Sequence, residues 1–400
     1  MNAIKIVERK KNQKNPSFDV SAYGVAKAKN IEAFHASFPE YEPTPLVELK
    51  GLAKLLGVKA IYVKDESYRF GLNAFKVLGG SYAIGSYLAR KNNLDDNHLT
   101  FNLLQELAEQ GKKETFVTAT DGNHGRGIAW TCNRLKQKAV VLMPHGSSLE
   151  RLTNIQKLGA DASITDLNYD DAVRLAYKYS EENGWVMVQD TAWEGYEKIP
   201  QTIMQGYTTM AYEAVQQLGD ELPTHVFLQA GVGAMSGAAV GLLADFYQEK
   251  LPIITIVEPD KADCLYQTAL ANDGNLHFVG GKLDSIMAGL CCGEPCTLGW
   301  EVLASYADFF VSMPDEIAAE GMRLLASQTD GDPKIISGES GAAGAGLALC
   351  VLRYQELASL KVKLGLDENS VLLFFSTEGD TDQENYQRIV KENAWSVNFK

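Results

Sequence analysis

Between residues 46 and 167 the chain alternates between stretches of helical periodicity and short apolar runs of strand type. Helical patterns cover 46–56, 75–90, 122–135 and 149–158, and the runs IYV, TFVTAT, AVVLMP and ASITDL stand between and after them. A helix that follows a strand returns the chain to start the next strand parallel to the first. The alternation therefore predicts an α/β fold with open, mainly parallel, twisted sheets flanked by helices. Further runs at 183–190, 224–229, 253–257 and 371–375 read as short buried strands, each ending in a polar or glycine-rich loop. Ligands of parallel sheets sit at the carboxyl ends of strands, which makes those loops the candidate site. Residues 91–114 read as a polar surface excursion, and roughly the first 40 as an arm without chemistry of its own.

Composition narrows the partners. A net charge of −14, from 51 acidic and 37 basic residues, argues against nucleic acid or an anionic membrane and leaves small molecules. The opening MNAIKIVERKKNQKN is basic but lacks the apolar core of a signal peptide, and the longest apolar run, 341–352, is too short to span a bilayer. A cytoplasmic location is the expectation. Six cysteines in 400 residues fit a reducing compartment, and the spacing in GLCCGEPC matches no zinc pattern, so no metal is expected.

Lys76 stands between Phe75 and Val77, just after a turn-like Gly-Leu-Asn and at the start of a helical pattern. Desolvation and the positive end of the helix dipole both disfavour an ammonium there. A neutral lysine attacks carbonyls, and pyridoxal phosphate (PLP) is the carbonyl cofactor that uses one. A lysine whose stem packs while its head reaches water is the alternative. The loop TATDGNHGRG follows a strand and opens a helix, so its N–H groups suit a carboxylate or phosphate, with Asp121 and Asn123 aimed the same way; an ordinary Asx turn fits the same residues. AGVGAMSG reads as a phosphate cradle, or as a degenerate dinucleotide fingerprint with Glu258 as ribose acceptor. FFSTEGDTD ends a strand in the hydroxyls Ser376 and Thr377, and QDTAWEGY adds Asp190 with Trp193 and Tyr196 as pocket walls. In SGESGAAGAG, Glu339 precedes small residues that imply close helix packing.

Taken together and in this order, NAFK, DGNHG, GVGAM and STEGD resemble the fold type II PLP enzymes, the family of the threonine and serine dehydratases and the tryptophan synthase β subunit. Within it, KDESYRFGLNAFK, DGNHGRG, QDTAWEGY, QAGVGAM, VEPDKADC, SGESGA and STEGDTD are similar to the diaminopropionate ammonia-lyases, from about residue 41 to 382. The resemblance implies a homodimer and two domains, drawn on topology as a large PLP-binding domain of 1–80 and 195–400 and a small one of 81–194. It implies that Lys76 holds PLP as an internal imine, that Phe75 backs the ring, and that Asn123 bonds its phenolic oxygen. The backbone around Thr120, Gly122 and His124 would take the substrate carboxylate. Gly231, Val232, Gly233, Ala234 and Met235 would cradle the phosphate, and Ser376 or Thr377 would meet the pyridine nitrogen. Asp121 stands where dehydratases typically have a neutral residue. It can abstract a proton and attract a cationic group, and Asp190 adds a second negative charge. The activity implied is α,β-elimination of D- and L-2,3-diaminopropionate to pyruvate and ammonia. A serine or threonine dehydratase on the same scaffold and a non-catalytic nucleotide-binding protein are the alternatives.

Overall fold

The computed structural model of the chain describes residues 4–398 except Lys112 and Asp121, so the role expected of Asp121 lies outside the described residues. Eleven strands occur among them: β1 (Lys5–Glu8), β2 (Leu46–Glu48), β3 (Ala60–Asp65), β4 (Thr115–Ala119), β5 (Lys138–Met143), β6 (Asp161–Ile164), β7 (Val186–Met187), β8 (His225–Gln229), β9 (Ile253–Pro259), β10 (Phe309–Met313) and β11 (Val371–Ser376). They form two sheets, ordered β1-β10-β9-β8-β11-β3-β2 and β6-β5-β4-β7. The four-stranded sheet is parallel throughout. In the larger sheet only the edge strands β1 and β2 run antiparallel. Interior strands of a parallel sheet are covered on both faces, and HVFLQ and VLLFFS are accordingly buried at every position.

The described residues divide into two compact units, one within 1–24, 43–68 and 213–400, the other within 25–42 and 69–212. The boundaries drawn from topology at 80/81 and 194/195 fall inside the second unit, for a packing reason. Helices Val77–Lys91 and Lys198–Leu218 meet almost backbone to backbone: a Cβ on Gly206 would lie 2.3 Å from Leu78 O, and one on Gly79 2.5 Å from the Tyr207 ring. Helix Val25–Ala36 joins the same unit through Phe34, which contacts Phe38 edge-on at 5.3 Å, while Phe38 stacks on Trp130 at 5.6 Å. Gly206→Ala is expected to destabilise the chain by about 1–3 kcal/mol, since a backbone oxygen cannot rotate aside. Urea unfolding with an unchanged midpoint would contradict this packing.

Three local expectations need correction. Residues 46–56 are not one helix: Leu46–Glu48 pair antiparallel with β3, and the helix begins at Lys50. The excursion 91–114 contains helix Phe101–Glu109, N-capped by the Thr100 hydroxyl and burying Phe101, Leu104 and Ala108. The N-terminal arm supplies β1 to the large sheet, besides helix Val25–Ala36. No helix among the described residues is long and apolar enough to cross a membrane.

Candidate active site

In the smaller-sheet unit, two helix N-termini converge because glycine lets them. Asn123 opens helix Asn123–Arg134, Lys76 immediately precedes helix Val77–Lys91, and a Cβ on Gly127 would lie 2.9 Å from the Val77 backbone. Lys76 Nζ donates to Asp190 Oδ2 at 2.5 Å. It also lies 5.5 and 5.8 Å from the ring centroids of Phe75 and Tyr207, which pack on each other at 4.8 Å. Asp190 is buried, with His124 Nδ1 3.8 Å away, and His124 Nε2 donates to Val188 O at 2.8 Å. Burial alone would raise the Asp190 carboxyl. The Lys76 ammonium, then His124 and the Lys76 hydrogen bond, outweigh it and hold the group well below the ordinary carboxylate range. The expectation of an ammonium among apolar neighbours alone is thus corrected, since Lys76 has a carboxylate partner.

The loop after β4 spends part of its donors inside the protein. Thr120 N–H donates to Leu142 O, and Gly122 N–H to the Thr120 hydroxyl at 3.0 Å. Thr120, Gly122 and His124 are buried, whereas Asn123 is half-buried.

The other unit carries the glycine loop and the hydroxyls. β8 ends at Gln229, Gly233 takes φ 93°, and helix Ala234–Tyr247 starts without a side-chain cap. Among the described residues, no protein group accepts from the N–H groups of Gly231, Val232, Gly233, Ala234 and Met235. A Cβ on Gly231 would sit 3.2 Å from both Cys292 Sγ and Leu290 Cα, a tight fit that favours a bare position. Bare backbone donors at a helix N-terminus fit a phosphate. At the end of β11, Ser376 Oγ hydrogen-bonds Ser337 Oγ at 2.7 Å, and Thr377 Oγ1 accepts from Gln229 Nε2 at 2.8 Å. Both hydroxyls are buried; Ser376 gives its proton to Ser337, whereas Thr377 accepts from Gln229 and so suits one hydrogen bond donated to a heterocycle nitrogen.

The model of the family described as "Pyridoxal-phosphate dependent enzyme" matches residues 38–364. Diaminopropionate ammonia-lyase of Escherichia coli (strain K12) is 51% identical over 377 residues, 94% of each chain. Two solved structures of the E. coli enzyme, each spanning 99% of both chains, are similar: the complex with D-serine (49% identical, TM-score 0.93) and the complex with an aminoacrylate-PLP azomethine reaction intermediate (48%, 0.91). The chain belongs to the diaminopropionate ammonia-lyase family. It is a fold type II, PLP-dependent carbon–nitrogen lyase, as the motif order implied.

Membership leaves the Glu258 alternative without support, and the geometry agrees. Both carboxylate oxygens of Glu258 are used inside the protein, accepting from Leu265 N at 2.8 Å and Tyr266 N at 2.7 Å at the start of helix Cys264–Ala271. Glu258 is also fully buried, where a ribose does not reach it. Two residues escaped the motif reading. Gln189 and Gln229 each end an apolar strand run, and each cross-links its strand end to a neighbouring one. A glutamine inside such a run is the signal that could have found them, because a buried amide requires partners.

Glu339 is more than a spacer before small residues. It accepts from Asn385 Nδ2 at 2.5 Å, and its carboxyl is pushed up to about 7 by burial first and the Glu378 carboxylate second. The folded chain keeps a proton that the unfolded chain releases near 4.5, so stability falls as pH rises from 4.5 to about 7 and then levels. Glu339→Gln is expected to flatten that slope. Melting curves of equal steepness against pH in variant and parent would refute the assignment.

Proposed function

We propose that the chain eliminates ammonia from both enantiomers of 2,3-diaminopropionate, giving pyruvate and a second ammonia. The observation that carries this reading is Asp190, a buried carboxylate 2.5 Å from Lys76 Nζ. A substrate with a β-ammonium group benefits from that negative charge; serine and threonine offer it nothing to attract. PLP held by Lys76 supplies an electron sink for the α carbon–hydrogen bond. Gly231 to Met235 would anchor its phosphate through backbone N–H groups, Phe75 would back the ring, and Asn123 would donate to the phenolic oxygen. Ser376 or Thr377 would donate to the pyridine nitrogen.

With Thr120 N–H and Gly122 N–H engaged inside the protein, the substrate carboxylate falls to the Thr120 hydroxyl and the helix N-terminus at Asn123 and His124. Lys76, once released, takes the α-proton on one face, and Asp121 takes it on the other. Asp190 holds the β-ammonium until ammonia departs, and the enamine that leaves hydrolyses in water to pyruvate and ammonia. A cytoplasmic homodimer is the setting this reading implies, to be checked by sedimentation of the purified protein. The test of substrate is pyruvate release from D- and L-diaminopropionate, serine and threonine in parallel. Faster release from serine or threonine than from either diaminopropionate would favour the dehydratase reading instead.

A further inference from the structure

The last ladder contacts between β4 and β7 are Phe116↔Val186 and Val117↔Met187, continued by Val188 N–H to Val117 O. Beyond them the two backbones separate, and the Gln189 side chain takes over. Its Oε1 accepts from Ala119 N and from the Thr118 hydroxyl, both at 3.0 Å. Its Nε2 donates to Ala119 O at 3.0 Å and to the Tyr169 hydroxyl at 2.9 Å. The carboxamide thus pairs with the Ala119 peptide through both an acceptor and a donor, as a backbone peptide of a longer strand would. Its own N–H is held by the Tyr196 hydroxyl, which in turn donates to Met187 O.

This substitution of side chain for backbone has a geometric result. A continued ladder would keep residue 190 in the plane of the sheet. With the amide in the ladder's place, the chain leaves the ladder after Val188 yet stays fixed to β4 through Gln189, and the next residue, Asp190, reaches Lys76 Nζ. On the other side of the link, Ala119 leads straight into Thr120 and the loop that opens helix Asn123–Arg134. We infer that Gln189 is a positioning residue for the reaction, whose side-chain pairing with Ala119 sets where Asp190 meets Lys76. The inference rests on the proposed role of Lys76 as the lysine that carries PLP.

Among the described residues, the groups facing Lys76 Nζ in this unit include Asp190, with His124 beside that carboxylate, and the Phe75 and Tyr207 rings. Asp190 is an anion in direct contact with it. The test is therefore a pH titration of the near-visible absorbance of the lysine-bound cofactor in the full-length holoenzyme, which reports protonation of Lys76 Nζ without turnover. Asp190→Asn is expected to lower the midpoint by about one pH unit or more. Gln189→Leu is expected to lower it in the same direction, and the double variant to match Asp190→Asn, because the amide acts through the carboxylate. A midpoint for Gln189→Leu equal to the parent's, with only the melting temperature reduced, overturns the inference. So does a double variant in which the two shifts add. Gln189→Met, unbranched and without the four hydrogen bonds, replaces the leucine variant if that one fails to fold. Failure of the underlying reading is distinguishable, since Lys76→Ala would then keep the absorbance.

Discussion

Lys76→Ala is expected to lose covalently held cofactor and turnover together, with turnover down by at least about a thousandfold, because nucleophile and proton carrier go at once. The same change should weaken the fold in a pH-dependent way. Lys76 holds the Asp190 carboxyl below the ordinary carboxylate range, so the stability this pair contributes is present above that range and disappears as pH falls through the depressed value. Without the ammonium, a buried carboxylate is left uncompensated. Because Lys76 is partly exposed, the cost at neutral pH should stay at or below about 3 kcal/mol. Lys76→Ala/Asp190→Asn should recover much of it. Borohydride-reducible cofactor retained on Lys76→Ala would sink the assignment of the lysine. A double variant no more stable than the single would sink the account of the pair.

For Asp121→Asn we expect collapse of D-2,3-diaminopropionate turnover by about 10²–10⁴-fold, the range a general base supplies, with the L form losing far less. Mirror-image substrates anchored by the same carboxylate and nitrogen present their α-hydrogens to opposite faces of the cofactor plane. Lys76, fixed at the start of its helix against Phe75 and Tyr207, reaches one face. A second base is needed on the other. Asp190 is poorly suited to that task, because a carboxyl held well below the ordinary carboxylate range is a weak base. Asparagine keeps the size and most of the turn hydrogen bonding of aspartate, so a residue that only caps its turn would show an equal, modest loss for both enantiomers. Equal loss of kcat at unchanged PLP occupancy would show that Asp121 is not a face-specific base.

Much of this was legible without coordinates, since it depends on near neighbours in the chain. Alternating periodicities require parallel strands joined by helices, and parallel strands require their loops, with Lys76, DGNHG, GVGAM and STEGD among them, to lie at strand ends. The bare donors of Gly231 to Met235 follow from local rules alone, since glycine before an uncapped helix leaves N–H groups unspent. Tertiary structure decided what depends on distant pairs. That β11 lies between β8 and β3 is invisible to periodicity, because any of the buried apolar strands satisfies the same pattern. The fate of Glu258 turned on a helix start that its own neighbourhood does not announce. Lys76 reads as isolated because its carboxylate lies 114 residues away, and only tertiary packing brings the two together. Charge in a protein interior is set by whatever the fold places within a few ångströms, and separation along the chain carries no record of that distance.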